Sequence, residues 1–152
     1  MKKTDQNVIW MIVHLCVTVK VKMKLLNVSQ KILNKCGAVS EETAIDMAIG
    51  VQEKFSTNIG ISTTGIAGPT GGTITKPIGL VFIGLAYNGY SKAYKFNFRL
   101  DRISNKMITV QAALNILRKN VKKYKKTSKI VNFFEFVIVP FDHQKSSMGT
   151  QK

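Results

Sequence analysis

The sequence predicts an α/β domain whose sheet contains at least one antiparallel pair of strands. Three observations support this prediction: a helix-capping residue at position 40, a glycine-rich loop over residues 65–79, and a hairpin signal at residues 88–89. The chain has 152 residues, of which 45% are apolar, so it can bury one core and is not a wholly disordered polypeptide. The order helix, strand, loop, hairpin, helix is typical of layered α/β proteins.

Ser40 predicts the start of a helix, because its hydroxyl can accept a hydrogen bond from a free backbone N–H of the first turn. Glu41 and Glu42 follow, and carboxylates suit the positive end of a helix. Apolar residues then recur at helical spacing. We interpret them as the core-facing side of the helix, formed by Ala44, Met47, Ala48, Val51 and Phe55.

A short strand is predicted over residues 58–64, and an apolar strand over residues 80–87. Asn88-Gly89 after the second strand is a strong signal for a tight hairpin. Beyond it, apolar and polar residues alternate from Tyr94 to Leu100, which predicts a half-buried strand. An amphipathic helix follows, with its apolar side formed by Ile103, Met107, Val110, Leu114 and Leu117.

The net charge of +15 is supplied mainly by lysine, which accounts for 20 of the 23 basic residues. Lysine is a mobile point charge, whereas arginine is the usual reader of base edges. The charge therefore indicates nonspecific attraction to polyanions. Seven basic residues stand in residues 118–129, so a basic module that binds nucleic acid nonspecifically is one alternative function. A nonfunctional remnant of a split gene is another.

The cysteines and histidines favour no metal site and no disulfide framework. Cys16 and Cys36 stand alone, and His14 and His143 lie at opposite ends of the chain. The apolar run over residues 8–19 is too short to span a bilayer and is not followed by a signal-peptide cleavage pattern. We expect a cytoplasmic protein with no membrane association and an apolar N-terminal strand.

The glycine-rich loop is the most informative candidate site. Residues 65–79 hold five of the eleven glycines and two of the three prolines. Glycine lets a backbone N–H approach a ligand closely, and Thr64 places a hydroxyl at the end of the preceding strand. A phosphate-bearing small ligand is one interpretation, and a wide surface turn is the other. Lys76 does not follow the glycines at P-loop spacing, so the loop is no P-loop.

Three segments resemble the CinA C-terminal domain family, also known as the nicotinamide-nucleotide amidases. They are GAVSEETAIDMAIG, TTGIAGPTGGTITKPIGLVFIGLA and FRLDRISNKMITVQAALNIL, and the likeness covers about residues 20–118. The resemblance implies a three-layer α/β/α fold with a mixed sheet. It also implies hydrolysis of nicotinamide mononucleotide to nicotinate mononucleotide and ammonia, with no metal or cofactor, by a homo-oligomer.

The resemblance also implies site residues. The family lysine falls on Lys22, which suits the role of a base beside a hydroxyl nucleophile if burial lowers its pKa. Arg102 matches the arginine of the family's GDR segment and could clamp a phosphate. Substrate binding is expected from the loop motif, at Thr64, Gly65, Gly68, Gly71 and Gly72.

Two departures from the family bear on activity. Val17 stands where the family has a tyrosine, and the ESCTGG motif with the nucleophilic serine is absent, since residues 1–19 contain no serine. We therefore expect a domain without its first helix–strand segment and with little or no amidase activity. The expected organisation is a divergent segment 1–21, the family-like domain 22–118, and a basic and apolar extension 119–152.

Overall fold

The computed structural model describes residues 19–127, except for the side chains of Val21 and of residues 121–127. Within this range helices precede, follow and flank a single sheet, so the α/β class is confirmed. The elements are α1 (Val19–Leu26), α2 (Gln30–Cys36), α3 (Glu41–Lys54), β1 (Ile59–Gly65), β2 (Leu80–Tyr87), β3 (Tyr90–Asn97) and α4 (Arg102–Thr127). The expected N-terminal strand over residues 8–19 lies almost wholly outside the described residues, and α1 begins at its last residue.

The sheet has the strand order β1-β2-β3, and both pairs are antiparallel. The prediction of a mixed sheet is therefore wrong for residues 19–127, because their three strands form only antiparallel pairs. The predicted hairpin is confirmed: Tyr87 pairs with Tyr90 across a two-residue turn. Asn88 has φ 46° and Gly89 has φ 74°, and such turns match the twist of the flanking strands.

Helices cover both faces of the sheet, which gives the expected three layers. The face covered by α4 includes Ile61 of β1 and Ile83 of β2, which pack against Ala113 and Leu117. The opposite face is covered by α3, where Ala44 packs against Leu80 and Phe82. Because both faces are covered, β1 and β2 are buried along nearly their whole length.

Two glycines allow α3 to lie directly on the strands. A Cβ at Gly84 would stand 2.1 Å from the Ala44 carbonyl oxygen, and one at Gly60 would stand 2.0 Å from that of Ala48. Between these positions Ser62 Oγ donates a hydrogen bond of 2.6 Å to the Ala44 oxygen. The helix therefore packs backbone against backbone, and this contact fixes β1 relative to the start of α3.

The predicted helix start at Ser40 is confirmed, and the structure adds a cap at Asp101 that the sequence analysis did not single out. Ser40 caps α3, and its Oγ accepts a hydrogen bond from the Thr43 N–H at 3.1 Å. Asp101 precedes α4 and accepts from the N–H groups of Ile103 and Ser104 at 2.9 and 3.1 Å. Both caps satisfy N–H groups that have no partner within the helix.

Three details of the sequence prediction are wrong. Strand β3 ends at Asn97, so the alternating residues 98–100 lie beyond it, and Phe55 is a partly exposed residue at the end of α3. The apolar side predicted for α4 is also not the buried side along its first half. Instead, α4 turns Asn105, Thr109 and Ala113 inward: Asn105 donates to the Ala67 oxygen of the glycine loop, Thr109 donates to the Asn105 oxygen of the helix, and Ala113 packs in the apolar core.

No helix within residues 19–127 is long and apolar enough to cross a membrane. The same residues contain no group of three or more His, Cys, Asp or Glu side chains that could hold a metal ion.

Candidate functional site

Lys22 and Thr64 meet in the interior of the domain. Lys22 lies on α1 with 3% of its surface exposed, and Thr64, near the end of β1, is 6% exposed. Lys22 Nζ donates hydrogen bonds of 2.9 Å to Thr64 Oγ1 and of 2.9 Å to the Ala38 carbonyl oxygen. Thr64 Oγ1 donates in turn to the same oxygen at 2.6 Å. The structure thus brings together two of the residues predicted from the sequence.

The direction of these hydrogen bonds assigns the protons. The single hydroxyl proton of Thr64 is directed to the Ala38 oxygen, so the Lys22–Thr64 bond uses a proton of the lysine. Lys22 is therefore the proton donor of the pair, and Thr64 holds it in place. Thr64 is not arranged as a nucleophile activated by Lys22, because its proton does not point to the amine.

Residues 36–38 form a carbonyl segment that accepts hydrogen bonds from three directions. The Cys36 oxygen accepts from Lys76 Nζ at 2.8 Å, and the Gly37 oxygen accepts from Thr43 Oγ1 at 2.7 Å. The Ala38 oxygen serves Lys22 and Thr64, as described above. The segment therefore links the glycine loop, the first turn of α3 and the Lys22–Thr64 pair.

The contact between Lys76 and the Cys36 oxygen was not predicted from the sequence. There, Lys76 served only to exclude a P-loop. The sequence signal that could have indicated this contact is a single lysine inside a loop rich in glycine and proline. Gly37 has φ 80°, and a Cβ there would stand 3.0 Å from Lys76 Nζ, so the glycine also makes room for the lysine. The contact closes the glycine loop onto the carbonyl segment.

Backbone hydrogen bonds hold the ends of the glycine loop together. Ile66 N–H donates to the Leu80 oxygen at 2.9 Å, and Gly79 N–H donates to the Ile66 oxygen at 2.7 Å. Gly65 is required at the exit of β1, because a Cβ there would stand 2.6 Å from the Leu80 oxygen. Of the other predicted loop residues, Gly68 is buried, whereas Gly71 and Gly72 lie on the exposed tip.

The start of α4 holds the other side of the loop. Arg102 donates from Nη1 to the Gly68 oxygen, so it contacts the loop and not the Lys22–Thr64 pair. Asn105, which is 1% exposed, donates to the oxygens of Ala67 at 3.0 Å and of Leu100 at 2.7 Å. Its Oδ1 accepts from the Leu100 N–H at 3.1 Å. Sequence reasoning missed Asn105, because a polar residue in the first turns of a helix normally faces solvent.

A carboxylate lies beside the carbonyl segment. The backbone N–H of Glu42, with the Ser40 hydroxyl, the Cys36 thiol and the nearby charge of Lys35, holds the pKa of the Glu42 carboxyl below its usual range. Desolvation raises the pKa and is a smaller effect than the backbone hydrogen bond. Glu42 therefore stays ionised at neutral pH, and the lysine charge that acts on it is that of Lys35.

Comparison with known proteins identifies the family. The family model for the CinA C-terminal domain matches residues 13–121. A relative from Clostridium tetani (strain Massachusetts / E88), whose name describes it as competence-damage inducible, is 57% identical over 100 residues. These residues are 66% of this chain and 24% of the relative. A similarly named relative from Halothermothrix orenii is 49% identical over 104 residues, which are 68% of this chain and 25% of that protein.

Solved structures agree with this result. A competence/damage inducible protein from Agrobacterium tumefaciens superposes with a TM-score of 0.65 at 36% identity, over 67% of this chain and 63% of that one. A CinA superfamily protein from Escherichia coli gives a TM-score of 0.63 at 35% identity, over 66% and 58% of the two chains. The chain spans about a quarter of the length of its curated relatives. On the family match and the shared fold together, this chain belongs to the CinA C-terminal domain family.

Proposed function

We propose that this domain binds a nicotinamide nucleotide and belongs to a site that hydrolyses its carboxamide. The observation that supports this proposal is the buried hydrogen bond of 2.9 Å between Lys22 Nζ and Thr64 Oγ1 beside the glycine loop. A buried amine held by a hydroxyl and a carbonyl is costly for a fold, and such groups cluster at sites of proton transfer.

In the net reaction the oxygen of water replaces the amide nitrogen: a C–O bond forms at the carboxamide carbon, the C–N bond breaks, and both hydrogens of water end on the leaving nitrogen, which gives a carboxylate and ammonium. The leaving nitrogen needs a proton, and Lys22 is the proton donor of the pair. Thr64 and the Ala38 oxygen act as positioning groups, because they fix the direction of Nζ. General acid catalysis of this kind contributes roughly 10²- to 10⁴-fold to a rate.

The glycine loop and Arg102 are assigned to the nucleotide phosphate. Arg102 uses Nη1 on the Gly68 oxygen, and a guanidinium has further N–H donors in a fork that matches a phosphate. The loop tip at Gly71 and Gly72 is exposed, so its backbone is accessible to a ligand.

The family's ESCTGG motif does not occur in these 152 residues. Removal of a covalent nucleophile typically costs several orders of magnitude in rate. A polypeptide of this sequence should therefore bind the nucleotide and turn it over slowly.

The experiment compares this polypeptide with a version extended at its N-terminus by a segment that carries ESCTGG. Nicotinamide mononucleotide binding is measured by calorimetry, and ammonia release by a coupled assay. We expect both forms to bind and only the extended form to turn over well.

Lys22→Met in the extended form should reduce turnover by at least 100-fold. Lys31→Met, at an exposed position on α2, is the matched control and should change nothing. Robust turnover by the original polypeptide would contradict the proposed impairment. Absence of nucleotide binding in both forms would contradict the proposed function.

A further inference from the structure

The glycine loop is tied to the carbonyl segment 36–38 on both of its sides. At the entry to the loop, Thr64 Oγ1 donates to the Ala38 oxygen at 2.6 Å. On the returning side, Lys76 Nζ donates to the Cys36 oxygen at 2.8 Å. The loop and the segment therefore form one closed ring of contacts.

The loop side of the Lys76 contact is fixed by a turn of its own. The Thr73 N–H donates to the Lys76 oxygen at 2.8 Å, and the Lys76 N–H donates to Thr73 Oγ1 at 3.0 Å. Pro77 follows and restricts the backbone further, because its ring fixes φ. These contacts hold the backbone of Lys76 in one orientation, from which its half-buried side chain reaches the segment.

The receiving side is built for this lysine. Cys36 ends α2, and the last carbonyls of a helix have no partner within it. Gly37 then takes φ 80°, and a Cβ at this position would stand 3.0 Å from Lys76 Nζ. The segment thus offers both an acceptor that the helix does not use and the space for the lysine.

The contact can act on Lys22 as well as on the end of α2. One residue separates the carbonyl that Lys76 contacts from that of Ala38, which accepts from Lys22 Nζ at 2.9 Å. The residue between them, Gly37, accepts from Thr43 Oγ1 at 2.7 Å, which anchors the middle of the segment to α3. A change at the start of the segment therefore changes the direction of the acceptor that orients Lys22.

We propose that Lys76 is a positioning residue: by holding the glycine loop on the carbonyl segment, it fixes the direction of Lys22 Nζ relative to a ligand on the loop. That this ligand is a nicotinamide nucleotide rests on the proposed function, whereas the effect of Lys76 on Lys22 does not. Groups held in one mutual orientation react faster without any new contact to the substrate. Lys76 therefore governs the orientation of Lys22 more than the affinity for the nucleotide.

The first experiment measures this orientation by NMR, on the 152-residue chain without ligand. The isotopically labelled side-chain ammonium of Lys22 is assigned by its loss in Lys22→Met, and the exchange of its hydrogens with water is followed. Lys76→Met should speed this exchange about tenfold, because the Ala38 acceptor is no longer held in place. Lys76→Arg keeps a long side chain with N–H donors and should stay within about twofold of the original chain.

Two further variants complete the first experiment. Lys31→Met removes the same charge at an exposed position of α2 and should leave the exchange of Lys22 unchanged. Thr73→Val keeps Lys76 but removes the acceptor of its N–H, so it should speed the exchange in the same direction as Lys76→Met. Thr73 is exposed, so this variant tests the contact even where Lys76→Met does not fold. Circular dichroism checks the fold of every variant.

The second experiment adds nicotinamide mononucleotide to the same proteins. Calorimetry should give dissociation constants for the original chain and for Lys76→Met that differ by less than about threefold. The nucleotide should slow the exchange of the Lys22 hydrogens in the original chain and should have little effect on it in Lys76→Met.

Unchanged Lys22 exchange in both Lys76→Met and Thr73→Val would overturn the proposal and leave Lys76 as a cap of α2. An equal change in Lys31→Met would also overturn it, since the loss of charge would then be the cause. Loss of nucleotide binding in Lys76→Met alone would make this lysine a direct ligand of the substrate, against the role proposed here. Absence of binding to the original chain would contradict the proposed function, and the exchange without ligand would still decide the role of Lys76.

Discussion

Two buried polar side chains, Lys22 and Asn105, determine how the site is built at the scale of single residues. Each donates to a backbone carbonyl oxygen of a loop: Lys22 to that of Ala38 and Asn105 to that of Ala67. A buried carbonyl or N–H without a partner costs about 1–3 kcal/mol, so each side chain stabilises one conformation of its loop. The conformation of the site therefore depends on the hydrogen bonds of these two side chains.

Asn105→Ala should lower the free energy of unfolding by about 2–3 kcal/mol. The substitution leaves the Ala67 and Leu100 oxygens and the Leu100 N–H without their partner. Urea unfolding followed by circular dichroism measures the change. Asn115→Ala, at an exposed position of the same helix, should cost less than about 0.5 kcal/mol. Equal losses for the two variants would contradict the role of Asn105.

Thr64→Val should reduce amide hydrolysis by the ESCTGG-extended chain at least tenfold, while Thr64→Ser should retain most of it. Valine has the same shape as threonine but no hydroxyl to receive Lys22 Nζ, whereas serine keeps the hydroxyl. Steady-state ammonia release gives the ratio. An active valine variant would show that Lys22 does not need Thr64 to be positioned.

At the scale of elements, the contact between α3 and the sheet depends on the absence of side chains at two strand positions. Gly84→Ala should destabilise the domain by about 2–3 kcal/mol, because its Cβ would stand 2.1 Å from the Ala44 oxygen and the helix would have to move. Thermal and urea unfolding measure the loss.

Gly89→Ala is the matched control for this packing prediction. Gly89 has nothing within 4 Å of an added Cβ, so the only cost is that of a φ of 74°, about 1–2 kcal/mol. A Gly84 variant that is no less stable than the Gly89 variant would contradict backbone contact between α3 and β2.

At the scale of the whole molecule, stability should fall in acid. Hydrogen bonds from the Ser104 hydroxyl and N–H lower the pKa of Asp101, and that of Glu42 is lowered chiefly by its own backbone N–H. A carboxyl whose pKa is lowered by folding stabilises the fold above its unfolded pKa, near 4, and loses this contribution as the pH falls through its folded pKa.

The urea midpoint should therefore be constant from pH 7 to about 5 and decrease from about pH 5 to 3. The double variant Asp101→Asn, Glu42→Gln should show a smaller decrease over the same range, since it removes both titrating groups. A midpoint that rises in acid, or a double variant with the same slope, would contradict this assignment.

The helix cap at Ser40, strand β2 and the Asn88-Gly89 hairpin follow from local chemistry, so the sequence by itself determined them. The same holds for family membership, because the glycine loop and its flanking segments form an ordered pattern. These features depend on residues that lie close together along the chain, where spacing alone defines the structure.

Only the tertiary structure decided which side of α4 is buried, that Asn105 holds the glycine loop, and that Lys76 reaches the Cys36 oxygen. Apolar spacing predicted a buried stripe at Ile103 and Met107, yet both are exposed, and the inward side of α4 carries Asn105, which donates to the Ala67 oxygen of the loop. Likewise, Lys22 and Thr64 are 42 residues apart in sequence. Their hydrogen bond exists because α1 and β1 meet at one carbonyl, which no local pattern encodes.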